Sequence, residues 1–301
     1  MRVVLAGAGS IGSLLAAHLA RAADVTVLTR REEHAAALRE QGLRVSGRGD
    51  FTARLDATAD TASLPADAEL AILACKSTDL EPLAARLEGT LGHATVMTIQ
   101  NGLGAEEIVA ARGGWPLLSS VTFMSGTRHD DAHVEYILDT ATWVGPYRGT
   151  TPADARAVAE LIVTSGLKAE AFDDLRPAQW SKLIFNATVN GVAALTGLPH
   201  DEHFAGDPLG PLVRELMEEG KRAAAAAGVE LWEDPWEMNL LATQRGFRHS
   251  PSMLEDVRAK RPTEAELING AIVRAAARAG VAVPLHEAVY ALVTGKEASY
   301  T

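Results

Sequence analysis

The chain has a single cysteine, Cys75, among 301 residues. One thiol closes no internal disulfide, which excludes a disulfide-stapled scaffold and makes a reducing cytoplasm the expected setting. Cys75 ends the apolar run 70–75 and is expected in the core. Positive charge is in deficit: the net charge is −11 and no lysine-rich tract interrupts it, so a non-specific nucleic-acid surface is not expected. No apolar stretch reaches about 18 uninterrupted residues, which excludes a membrane-spanning helix. Met1 runs straight into a strand-like segment, so no leader peptide is expected. There is no G-x-S-x-G elbow, which removes an α/β-hydrolase reading. His200 and His203 stand three apart without a third ligand at useful spacing, so no metal site is expected. Aromatics are scarce, 5% against 47% hydrophobic and 22% charged residues, an ordinary globular balance.

What the chain does have comes first at its start. Residues 2–12 form an apolar run that breaks into Gly7, Gly9 and Gly12, with Ser10 and Ile11 between them. A G-x-G-x-x-G after a strand and at the mouth of a helix is a dinucleotide cradle. The first glycine permits the turn, the second lets backbone approach a pyrophosphate, and the third lets the helix, expected over 13–21, pack on the strand. The free N–H groups at that helix start then face the phosphates. The next strand, 24–29, ends at Arg30 and Arg31, where an NAD-preferring chain usually carries an acid. Guanidinium forks suit a 2′-phosphate, so NADPH is the expected cofactor. Glu32 and Glu33 are expected to open the following helix.

Strand-like runs at 2–6, 24–29, 69–74, 94–98 and 117–123 alternate with helical patterns such as 31–41 and 78–88. That alternation predicts a doubly wound, mostly parallel α/β sheet. Runs 134–138 and 140–144 are read as added antiparallel edges. Beyond about residue 174 strands disappear, and helical patterns cover 175–195, 208–228, 252–260, 264–279 and 285–297. The expected organisation is a dinucleotide-binding domain over 1–170 and an all-α domain over 171–301. Ligands of such sheets bind beyond the carboxyl ends of the strands, so the expected active site is a cleft between the domains. A homodimer is compatible with a helical second domain, although no exposed pattern singles one out.

Several polar residues break the apolar pattern. Lys76 and Asn101 stand just past two predicted strand ends. Lys182, Asn186 and Asn190 recur every fourth residue in a helix that is apolar on its flanks. They therefore share one face. Buried polar groups left unpaired cost roughly 1–3 kcal/mol, so the stripe needs partners, either a ligand or neighbouring helices. Thr263 and Glu266 have the spacing of a capping box, which would set Glu264 at the first position of a helix.

These motifs, in this order and spacing, resemble the ketopantoate reductase (2-dehydropantoate 2-reductase) family over nearly the full length. The residues that carry it are Gly7/Gly9/Gly12, Cys75-Lys76, Gln100-Asn101-Gly102, Trp180-x-Lys182-x-x-x-Asn186-x-x-x-Asn190, Pro251-Ser252-Met253, Arg261-x-Thr263-Glu264 and Asn269-Gly270. The resemblance implies a Rossmann domain, a helical domain, and NADPH-dependent reduction of a 2-oxo acid, ketopantoate or a relative, to the 2-hydroxy acid. Lys182 then resembles the general acid and Glu264 the carboxylate that holds it. Asn186, Asn190 and Ser252 resemble substrate-positioning groups, Asn101 a bridge between cofactor and catalytic site, and Lys76 a contact near the nicotinamide ribose. The stretch Trp232–Met238 and the pair His129-Asp130 match no motif of that family. The alternatives are a reductase of a different ketone, a 3-hydroxyacid-type dehydrogenase, which the Ser252–Glu264 segment opposes, and a non-catalytic NADP(H) sensor, which the presence of Lys182 and Glu264 opposes.

Overall fold

A computed structural model describes residues 1–244 and 250–300. The chain divides into two compact units, residues 1–100 with 105–175 and residues 101–104 with 176–301.

In the first unit the order is β1 (Arg2–Ala6), α1 (Ser10–Leu19), β2 (Asp24–Leu28), α2 (Glu32–Gln41), β3 (Leu43–Gly47), β4 (Phe51–Ala53), β5 (Asp56–Thr58), β6 (Leu70–Leu73), α3 (Ser77–Leu87), β7 (Thr95–Thr98), α4 (Ala105–Ala110), β8 (Leu117–Thr122), β9 (Ser125–Arg128), β10 (His133–Leu138), β11 (Thr142–Arg148), α5 (Pro152–Thr164) and β12 (Ala169–Ala171). The main sheet runs β12-β11-β8-β7-β6-β1-β2-β5 and is parallel except where β11 meets β8. Strand order reverses at β1, because β2 lies on one side of it and β6 on the other. That reversal opens a crevice at the carboxyl ends of β1 and β6, where α/β sheets bind ligands.

A second sheet, β4-β3-β10-β9, is separate from the first. Residues 134–138 thus belong to this smaller sheet, parallel to β3 and antiparallel to β9, instead of forming an edge of the main one. The reason lies in α1. Leu14, Leu15, Ala16, Ala17 and Leu19 are all fully buried in one cluster with Val3 and Leu5 of the main sheet and Val45 and Val134 of the small one. A helix apolar on both faces needs a cover on each. Gly126 lets β9 come close enough, since a Cβ there would stand 2.8 Å from the Leu14 side chain.

The second unit is helical: α6 (Arg176–Thr196), α7 (Leu209–Ala226), α8 (Pro235–Gln244), α9 (Ser252–Arg258), α10 (Asn269–Ala279) and α11 (Pro284–Glu297). Helix α6 is its axis, buried from Trp180 to Ile184 and from Asn186 to Ala194. Gly220 of α7 and Gly191 of α6 allow close helix crossings, against Ile184 and Val289 respectively. No helix among the described residues is long and apolar enough to cross a membrane.

Two local expectations change. Thr263 and Glu266 form no capping box, and α10 starts at Asn269 instead of 264. Thr263 Oγ1 accepts from the N–H of Ala265 at 3.1 Å, while the Glu266 carboxylate is taken by Arg274 and Tyr290. The Leu267 carbonyl accepts from Leu103 at 2.8 Å, a bond that competes with continuation of a helix. Glu264 therefore sits in a turn. Cys75 is half-buried and not in the core, because β6 ends at Leu73 and the Cys75 carbonyl leaves the sheet to accept from the Gln100 side chain at 2.9 Å.

Candidate functional site

Two groups of predicted residues assemble, one in each unit. In the first unit, β1 delivers the glycine loop to the crevice. Gly7 has φ +105° and its backbone lies against the end of β6; a Cβ would stand 2.6 Å from the Cys75 nitrogen. Gly12 lies inside α1, which begins at Ser10 rather than at 13, and a Cβ there would meet the Gly7 carbonyl oxygen at 1.9 Å. Both glycines are required by backbone-to-backbone approach. At Gly9, by contrast, a Cβ would meet nothing within 4 Å among the described residues, so the loop has open space at this point. Among the described residues no side chain caps the α1 N-terminus. The N–H groups of Ser10, Ile11 and Gly12 thus head an uncapped, positively polarised helix end, a fit for a pyrophosphate.

Lys76 precedes α3 at the end of β6, half-buried beside this loop. Arg30 and Arg31 leave the end of β2, and Glu32 and Glu33 open α2 as expected. Arg30 is 81% exposed with Asp79 3.8 Å away. Arg31 is held: its Nη2 donates to both carboxylate oxygens of Asp131 at 2.8 Å. Arg128 donates to the same carboxylate at 2.8 Å, and its own backbone N–H donates to Ser10 Oγ at 3.3 Å. Neither Arg128 nor Asp131 is visible as a partner of Arg31 in the sequence, where Asp131 lies 100 residues on.

In the second unit, one face of α6 carries Lys182, Asn186 and Asn190, all buried. The stripe finds its partner in the loop 101–104. Lys182 Nζ donates to Asn101 Oδ1 at 2.9 Å, and Asn101 Nδ2 donates to Glu264 Oε2 at 3.1 Å. Asn186 Nδ2 makes a longer contact to the same Asn101 oxygen at 3.5 Å. The amide is thus poled, its oxygen toward the ammonium and its nitrogen toward the carboxylate. Gly102 makes the arrangement reachable. Its φ is +95°, and a Cβ there would stand 1.8 Å from the Leu267 oxygen, so only glycine lets this loop lie on the 264–268 turn. Asn269, fully buried, donates to the Ala187 carbonyl at 2.7 Å and so ties the start of α10 to α6.

Lys182 is 6% exposed, and burial pulls its ammonium down to about 8, against an opposing pull from the Glu264 charge. A lysine near 8 is charged at neutral pH yet gives up its proton readily, which suits a general acid. Ser252 stands apart from these contacts, exposed at the first position of α9. His203 bonds to Asp201, and His200 bonds to Asn239 between the rings of Phe185 and Phe204. Among the described residues no group of three or more His, Cys, Asp or Glu could hold a metal ion.

Residues 3–149 match the family model described as "Ketopantoate reductase PanE/ApbA", and residues 174–297 match "Ketopantoate reductase PanE/ApbA C terminal". The chain is 31% identical to a 2-dehydropantoate 2-reductase of Archaeoglobus fulgidus over 98% of each chain. It is 32% identical to one of Halobacterium salinarum over 95% of each. Among solved structures, 2-dehydropantoate 2-reductase from Methylococcus capsulatus superimposes with a TM-score of 0.90 at 28% identity, covering 100% of this chain and 98% of that one.

Proposed function

Since the chain belongs to the ketopantoate reductase family, we propose that it reduces 2-dehydropantoate, or a closely related 2-oxo acid, to the 2-hydroxy acid with NADPH, and that Lys182 is the general acid. The observation that carries this reading is the hydrogen-bonded chain Lys182–Asn101–Glu264, in which the ammonium and the carboxylate are buried. The cofactor would be held by the Gly7–Gly12 loop, with Ser10 and Ile11 offering N–H groups, by Arg30 and Arg31 toward a 2′-phosphate, and by Lys76 near the nicotinamide ribose. Bound NADPH supplies the hydride. As negative charge grows on the keto oxygen, the Lys182 ammonium stabilises it and then releases its Nζ proton to it. Asn101 fixes the direction of Nζ, and Glu264 keeps the ammonium charged by its opposite charge. Asn186, Asn190 and Ser252 are assigned to the carboxylate and hydroxyl ends of the substrate. The reaction is assigned to the cytoplasm.

The test is loss of NADPH absorbance against a panel of 2-oxo acids including ketopantoate, with NADH as the control. Efficient turnover of ketopantoate with NADPH supports the reading. Turnover of another member alone keeps the chemistry and removes the substrate. Lys182→Ala should abolish turnover while NADPH affinity stays within a few-fold; surviving turnover would remove Lys182 as the acid.

A further inference from the structure

The Arg31–Asp131–Arg128 cluster is built from three parts of the first unit: the end of β2, the end of β9, and the loop 129–132 that joins β9 to β10. Two guanidinium groups meet at one carboxylate oxygen, each at 2.8 Å. The carboxylate is 29% exposed, while the side chains of Arg31 and Arg128 are 50% and 37% exposed, so the cluster faces solvent without being dispersed in it. Arg128 is also tied through its backbone to Ser10, the first residue of α1, so the pair stands beside the open glycine loop. His34 stands 3.7 Å from Asp131. Burial pushes the His34 imidazole down, against a weaker upward pull from Asp131, which leaves the positive charge here to the two arginines. Asp131 itself pays a desolvation penalty, but the bonds from Arg31 and Arg128 outweigh it and hold the carboxyl below its ordinary range.

Two arginines gathered on one anion beside a dinucleotide loop form an anion site whose anion is supplied by the protein. We propose that Arg128 joins Arg31 in recognising the adenosine 2′-phosphate of the cofactor, and that Asp131 competes with that phosphate for both, so that Asp131 sets how strongly the chain prefers NADPH over NADH. This rests on the NADPH reading above. The physics is charge against charge. A phosphate brought to these guanidinium groups must displace the carboxylate or stand beside it, and either costs binding free energy that NADH, with its neutral 2′-hydroxyl, does not incur. The loop is also held by bonds that do not involve the Asp131 charge. Asp130 Oδ1 accepts from the Ala132 N–H at 2.8 Å, and the His129 N–H donates to the His133 carbonyl at 3.0 Å. Asp131→Asn therefore removes the charge and keeps an amide oxygen for one arginine.

Calorimetric titration of the full chain with 2′,5′-ADP and with 5′-AMP tests this, since the two probes differ only in the 2′-phosphate and neither needs catalysis. Wild type should bind 2′,5′-ADP more tightly. Asp131→Asn should tighten 2′,5′-ADP by about tenfold, the scale of one like charge removed from a partly exposed site. Arg128→Gln should weaken it by a similar factor. Both should leave 5′-AMP unchanged, which also reports that each variant is folded. Unchanged or weaker 2′,5′-ADP binding in Asp131→Asn overturns the competition, and an unchanged Arg128→Gln overturns its role in recognition. A wild type that binds both probes alike overturns the NADPH reading itself. In that case a 2′,5′-ADP preference gained by Asp131→Asn still upholds Asp131 as the block, and no gain overturns both.

Discussion

Lys182 should make the stability of this protein depend on pH in a window where few other groups titrate. In the unfolded chain its pKa is that of an ordinary lysine, 10.5, and in the folded chain burial brings it to about 8. A lowered lysine pKa means that the fold disfavours the charged form. The unfolded state therefore binds more protons between pH 8 and 10.5, and stability rises with pH through that window. Below pH 8 the full cost is present, roughly 3 kcal/mol at 1.36 kcal/mol per unit. Between pH 7 and 9.5 about 2 kcal/mol of it should be relieved.

The experiment is chemical denaturation of wild type and Lys182→Met, compared at each pH so that all other titrations cancel. Methionine keeps the length and apolar stem but carries no charge. It also strands Asn101 and Glu264, which costs about 1–3 kcal/mol and offsets part of the gain. The absolute difference at pH 7 is thus small. Its slope is the signal: Lys182→Met should lose about 2 kcal/mol relative to wild type on going from pH 7 to 9.5. A difference that stays constant over that range would refute the argument, because Lys182 would then titrate as an exposed lysine. With Lys182 as the proposed acid, the same pKa predicts that kcat/KM for 2-oxo acid reduction falls above pH 8, where Lys182 loses its proton.

Two further substitutions probe how Lys182 is held. Glu264→Gln keeps a partner for Asn101 but removes a charge that raises the Lys182 pKa, so the alkaline fall in kcat/KM should move to lower pH by up to about one unit; a profile that stays put or moves up would contradict the assigned electrostatics. Gly102→Ala places a Cβ 1.8 Å from the Leu267 carbonyl oxygen, and neither backbone can yield without breaking the Leu103–Leu267 bond. Asn101 should leave Lys182, with a loss of about 10² in kcat from misplaced geometry alone, seen as unchanged 2′,5′-ADP binding beside collapsed turnover; near-normal turnover would refute the docking argument.

What could be read in the sequence divides by distance along the chain. The glycine loop is legible because strand, turn and helix start all fall within residues 2–12, and Gly12 answers to Gly7 inside that same motif. The face shared by Lys182, Asn186 and Asn190 is legible because helical periodicity is local. Their partner is not. Asn101 and Glu264 lie 163 residues apart, and only the resemblance brought their names together. The misread capping box shows the same limit from the other side. Thr263 and Glu266 satisfy the local rule, but Arg274, Tyr290 and Leu103 recruit that segment's polar groups from outside it. The small sheet escaped for a related reason: β3 and β10 pair in parallel, 89 residues apart at Arg44 and His133, which no local pattern can announce.

That division bears on how the proposed acid, Lys182, is made. A lysine inside an apolar helix is costly, and the cost is what lowers its pKa into the useful range. The fold can sustain it because Asn101 and Glu264, which compensate the ammonium, both sit on irregular backbone, a left-handed glycine loop and a turn that stops short of becoming helix. A regular helix at 264–268 would point Glu264 according to its own periodicity. The Leu103–Leu267 bond instead fixes the turn to the loop, so that amide and carboxylate arrive as one piece against the face of α6. Lys182, the proposed acid, is therefore tuned by a contact between two backbones, and Gly102 is the residue whose change should separate cofactor binding from turnover.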